Sequence, residues 1–153
     1  LKTTKIKIMA TTTASLSISS SDLTPGSNLS INASSTLMKT GLTTGLEVVE
    51  MGKNTLTVAD SHKALFEGGV AAADQDQAAW VYLCNNATDD TYYIEVTLHD
   101  TVIGSLYAGD WMFMPYSQGD NVAELNLEAE GGTCPYEYAL FATSKTLLDS
   151  DQA

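Results

Sequence analysis

The chain has 153 residues, 44% of them hydrophobic, enough for one domain with a proper core. It carries 19 acidic residues against seven lysines and no arginine, for a net charge of −12. That balance argues against nucleic-acid binding, which draws on Lys and Arg at phosphates and base edges, and no apolar run is long enough to cross a bilayer as a helix. The charge is also uneven. Residues 1–63 hold six lysines against four acids, net +2, and residues 64–153 hold one lysine against fifteen, net −14. A solvated acidic face is one reading of the second part. Attraction between the basic end of one copy and the acidic part of another is the alternative.

Taken in chain order, Leu1 to Ile8 interleaves Lys2, Lys5 and Lys7 with Ile6 and Ile8. Residues 10–21 are mostly Ser and Thr, so the lysines are not followed by the apolar stretch of a secretory signal. We read residues 1–8 as a partner-binding arm: the lysines grip an acidic neighbour, and Ile6 and Ile8 suit addition to a strand edge. Residues 11–44 are half Ser and Thr. Leu16 and Ile18, then Leu29 and Ile31, alternate with polar residues around Pro25-Gly26, which predicts a hairpin or paired edge strands. The competing reading is a flexible Ser/Thr-rich linker.

Over 45–58 the pattern predicts strand, turn, strand, with the turn at Gly52 to Asn54 and a second strand alternating Leu56 and Val58. Lys63 to Glu67 suits a short strand before Gly68-Gly69. Residues 70–79, "VAAADQDQAA", are the one place that tolerates a helical turn. Strand signals then recur about every ten residues. They are "AWVYLCNN", "TYYIEVTL", "TVIGSLY", "WMFMP", "NVAELNLEAE" and "PYEYALFA", divided by turns at Asp89-Asp90, His99-Asp100, Ala108 to Asp110, Ser117 to Asp120 and Gly131-Gly132. Tyr92, Ile94, Val96 and Leu98 fall on one face of their strand, and Gly104 marks a possible bulge. "WMFMP" is too short for a helix and reads as a strand covered on both faces, stopped by Pro115. One face fills the core, and the other meets a further element or a partner. This is an all-β pattern: a jelly-roll-like β-sandwich over 46–153, preceded by an N-terminal arm and hairpin over 1–45.

Chemistry-bearing motifs are scarce. Cys84 and Cys134 form no CxxC pair and have no His/Cys cluster around them, which removes zinc. They read as two buried thiols; a disulfide, worth about 4 kcal/mol for a loop of that length, is the alternative. His99 beside Asp100 reads as a surface turn histidine. There is no GxSxG, no HExxH and no phosphate-cradling glycine loop. Asp74 and Asp76 could open a calcium loop, but the rest of that pattern is missing. Asn28, Asn32 and Asn86 head glycosylation sequons, which matter only in a eukaryotic secreted protein. No cofactor or metal is expected. Trp80, Tyr107, Trp111, Phe113 and Tyr116 are the candidates for core or interface. Tyr92, Tyr93, Tyr107, Tyr116, Tyr136 and Tyr138 could instead make a sugar-stacking platform.

Three segments carry a resemblance. Val81 to Asn85 ("VYLCN"), Leu106 to Pro115 ("LYAGDWMFMP") and Glu137 to Phe141 ("EYALF") are similar to strands of small structural proteins in tailed bacteriophage virions, especially those of cyanobacterial phages. The likeness spans Ala79 to Ala142, and it departs at Cys84, where a polar residue is expected. It implies no active site. The expectation is a non-enzymatic virion protein: a capsid decoration or cement protein that holds the shell through its arm and sheet faces. Its partners would be the major capsid protein, other virion proteins and copies of itself, with no nucleic acid or membrane. It would sit in the virion, capsid or tail, after assembly in the host cytoplasm. The alternatives are a tail, neck or fibre component and a carbohydrate-binding adhesion module.

Overall fold

The computed structural model describes residues 12–24, 27–37, 46–65, 79–116 and 125–142. The arm at 1–8, the Pro25-Gly26 turn and the loop at 117–120 lie outside these residues. So does the expected helical turn, apart from Ala79. The chain divides into two compact units, residues 1–47 and 48–153.

In the first unit, β1 (Thr13–Thr24) and β2 (Ser27–Thr36) pair antiparallel as a two-stranded ribbon. The hairpin reading of this segment therefore holds over the linker reading. Period-two alternation gives the ribbon two unlike faces. Ala14, Leu16 and Ile18 lie opposite Ser35, Ala33 and Ile31 on one side, while Ser15, Ser17 and Ser19 lie opposite Ser34, Asn32 and Ser30 on the other. The polar side is knitted together by Ser15–Ser34 at 3.1 Å and by Ser17 donating to Asn32 Oδ1 at 2.9 Å. At the ribbon's base the Leu37 N–H donates to the Thr12 carbonyl, and Leu37 and Leu46 are buried.

The second unit is built from β3 (Glu47–Leu56), β4 (Lys63–Ala64), β5 (Ala79–Asn85), β6 (Tyr93–Leu98), β7 (Thr101–Tyr107), β8 (Trp111–Tyr116), β9 (Leu125–Glu130) and β10 (Cys134–Ala142). They form two four-stranded sheets of order β3-β10-β5-β8 and β4-β9-β6-β7. Successive strands swap sheets, except β6 and β7, which pair as a hairpin, and the order is that of a double-Greek-key jelly roll. Inward residues of both sheets merge into one core: Val81, Leu83, Tyr136 and Leu140 from the first, Ile94, Val96, Leu127 and Ala129 from the second.

Two expectations are corrected. β3 runs unbroken through Gly52. A Cβ there would stand 3.1 Å from the Tyr138 ring, so this glycine admits a neighbouring side chain rather than a turn. β8 does not stop at Pro115 but continues to Tyr116, and it is the last strand in the order of its sheet. An edge position tolerates a residue with no N–H to give.

The turns follow their residues. Leu98 pairs with Thr101 around His99 and Asp100, whose φ values of 47° and 59° are those of a tight hairpin turn. Gly109 and Gly131 supply φ of 83° and 81°. Ile103 is the extra residue where β7 slips against Val96 and Thr97, a bulge beside Gly104.

Candidate functional site

The outer face of the β3-β10-β5-β8 sheet gathers aromatic side chains from three strands. Antiparallel register sets partners side by side on one face. It aligns Trp111 with Cys84, Phe113 with Tyr82, and Pro115 with Trp80 across β8 and β5. Across β5 and β10 it aligns Cys84 with Glu137, Tyr82 with Ala139, and Trp80 with Phe141. The rings touch: Trp80 stacks on Phe113 with centroids 4.9 Å apart, and Phe141 meets Phe113 edge-on at 5.9 Å. Trp111 stands at the rim with 55% of its surface open.

The "AGD" ahead of Trp111 now has a physical reason. Gly109 takes the left-handed turn conformation and gives its N–H to the Asn85 carbonyl at 2.8 Å. Asp110 accepts the Tyr107 N–H on its carboxylate at 3.0 Å, and its carbonyl accepts the Asn85 N–H at 3.0 Å. Asn85 is fully buried, and its amide donates to the Leu106 carbonyl at 2.9 Å. This network fixes where β8 starts and therefore where the indole stands. Asn85 was legible only as part of the Asn-Asn end of a strand signal; its role needs the fold.

Beside the rings lies a polar corner. Glu137 accepts from Lys53 Nζ at 3.2 Å and from the Tyr82 hydroxyl at 3.3 Å. Lys53 holds the Glu137 carboxyl below its ordinary value. Burial, with help from Cys84 and Glu137, pushes the Tyr82 phenol up to about 12, so it stays a donor across the physiological range. Lys53, Asn54, Asn86, Pro135, Tyr136 and Glu137 line most of an open depression of about 380 Å³.

The five sequence candidates do not form one surface. Trp80, Trp111 and Phe113 share this face. Tyr116 is buried in the core. Tyr107 lies on the opposite sheet, where its ring meets Tyr93 at 5.1 Å. The six tyrosines likewise fail to make one platform. Tyr136 is buried, Tyr92 and Tyr138 pack on the core, and Tyr93 and Tyr107 pair on the far sheet. Lys2, Lys5, Lys7, Ile6 and Ile8 lie outside the described residues. Phe141 and Tyr82 were missed; strand alternation could have put them on a face, but not beside Trp80 and Phe113.

Both cysteines are free thiols. Cys84 is on the outer face of its sheet and Cys134 on the inner, which rules out a bridge between these neighbouring strands. Burial raises the Cys134 thiol. Among the described residues no cluster of three His, Cys, Asp or Glu side chains could hold a metal ion. Comparison with known proteins finds no matching family model, no matching curated protein and no matching solved structure.

Proposed function

We propose that this chain is a non-enzymatic structural protein of a bacteriophage virion, a decoration or cement protein that docks on neighbouring shell proteins through the Trp111–Phe113–Trp80 face. The aromatic outer face carries this reading. Stacked rings with a half-open tryptophan at their rim form the kind of anchor that dominates protein interfaces. The jelly roll supports it as a scaffold that recurs in viral capsids, which is an argument from fold alone. The acidic body favours a basic surface on the partner.

The test is calibrated mass spectrometry of density-purified virions from a culture expressing the chain. Hundreds of copies per particle are expected, and tens or fewer assign it to the tail instead. Trp111→Ala should cost about 2 kcal/mol of docking energy, roughly thirtyfold in affinity, without moving the melting midpoint. A chain absent from particles overturns the reading.

The polar corner favours a second reading, a carbohydrate-binding module. Lys53, Glu137 and Asn86 stand ready to hydrogen-bond hydroxyls beside the ring surface. A glycan array on which the wild-type chain binds, and Trp111→Ala does not, would choose it over the first.

A further inference from the structure

Ribbons of two strands are marginal in water unless a face is covered. In β1–β2 the apolar face stays open: Leu16 is 39% exposed, and Ile18 and Ile31 are 43% each. The serine and asparagine side satisfies itself across and along the strands and has no such need.

Two features of this face say what covers it. The first is charge. Residues 12–37 carry one ionisable side chain, Asp22, whereas residues 64–153 carry a net −14. Two copies repel each other through their bodies but not through their ribbons. The second is shape. Reading across the ribbon, the apolar face has four rows: Ala14 beside Ser35, Leu16 beside Ala33, Ile18 beside Ile31, and Ser20 beside Leu29. The rows on either side of the Ile18–Ile31 pair each hold one large and one small side chain, on opposite strands. Turn a second ribbon over about an axis along the strands, and β1 of one copy covers β2 of the other. Leu16 then faces Ala33, Leu29 faces Ser20, and Ile18 faces Ile31. Large meets small, as packed sheets require.

We propose that this face is a homotypic docking surface on which a second copy of the chain stacks its own β1–β2 ribbon. The contact is isologous and closes on itself as a dimer. It is small. Eight residues on two strands cover roughly 26 by 10 Å, well under the roughly 800 Å² per partner of a standard interface. The dimer therefore dissociates on dilution. Because it is apolar between mutually repelling bodies, added salt strengthens it.

The experiment is analytical ultracentrifugation of the full chain over a concentration and salt series. The wild type should rise from the monomer mass to twice that mass, at lower concentration as salt increases. Ile18→Glu and Ile31→Lys should each raise the dissociation constant at least tenfold, while Ser17→Lys on the polar face leaves it unchanged. Mixing the Ile18→Glu and Ile31→Lys chains should restore a dimer, because the carboxylate introduced in one copy then faces the ammonium introduced in the other; this separates a lost contact from a ribbon that fails to fold. A wild type that stays monomeric overturns the proposal. So does a mass above the dimer, a dimer weakened by salt, equal effects of Ile31→Lys and Ser17→Lys, or a mixture that stays monomeric. None of these outcomes bears on whether the chain is found in virions.

Discussion

On their inner sides the two sheets of the jelly roll are interchangeable. Val81, Leu83 and Leu140 of one and Ile94, Val96 and Leu127 of the other are all buried aliphatics in a single core. Their outer sides share nothing. One carries Trp80, Tyr82, Trp111, Phe113 and Phe141, with the Glu137 carboxylate already matched to Lys53. The other sets Glu95 directly across from Glu128, and Glu130 across from Tyr93, with Tyr107 beyond. Like charges directly opposite one another weaken a strand pair, so the second face gives up stability where Glu95 meets Glu128. The inner faces record what the fold needs. The outer faces, which the fold leaves free to vary, differ in their rings and their charge.

The sharpest way to break this comparison is to remove one ring from each outer face. Among the described residues Phe113 meets two rings, Trp80 and Phe141, whereas Tyr93 meets one, Tyr107. Each aromatic pair contributes roughly 0.5–1.5 kcal/mol beyond area burial. Phe113→Ala should therefore lower unfolding free energy by about 1–3 kcal/mol, and Tyr93→Ala by about half as much, both read from urea midpoints. Equal losses would mean that the aromatic face is no more tightly built than the acidic one.

A second test concerns the acidic sheet alone. Thr97 and Asn126 are cross-strand partners on its outer side, both buried, and neither Thr97 Oγ1 nor Asn126 Oδ1 finds a hydrogen-bond partner. A buried polar atom left unpaired costs more than an apolar atom of the same shape. Thr97→Val should stabilise the chain by about 1 kcal/mol, a rise of roughly 2–4 °C in melting temperature for a chain of this size. A loss of stability would show that the hydroxyl has a partner, and that the acidic face is better satisfied than it looks.

Much of this architecture was legible in the chain because strand alternation and turn chemistry are local. The buried set on β5 and β6, the turns at His99-Asp100, Gly109 and Gly131, and the amphipathic hairpin all follow from residues within a few positions of one another. What was not legible depends on register between distant strands. Nothing near Trp80 says that Phe141 will lie beside it, or that winding between sheets will carry Tyr107 to the far side. Gly52 misled for a related reason. A glycine that opens a turn and a glycine that makes room for Tyr138 look the same until β3 and β10 are paired. The edge position of β8 was hidden too, although Pro115 hinted at it.

The smallest effect expected is acid sensitivity. Asp60 is held below its ordinary value by the Thr57 backbone N–H and hydroxyl, at 2.7 and 2.9 Å, and Asp89 by the Thr91 hydroxyl and N–H, at 2.6 and 3.0 Å. Glu137, on the aromatic sheet, is held down first by Lys53. In each case the unfolded chain takes up its proton at a higher pH than the folded chain does. The stabilisation is complete above the ordinary carboxylate values of 3.8 and 4.5, and it drains away as pH falls through the depressed ones. Lys53→Gln removes the Glu137 share only. Its urea midpoint should fall slightly at about pH 6 and converge with the wild type in acid, once the pH has fallen through the depressed Glu137 value and the carboxyl holds its proton in either protein. Because Lys53 is mostly exposed, half-molar salt should shrink the difference further. A gap between the two proteins that persists in acid would mean that Lys53 supports the polar corner through its stem rather than its charge.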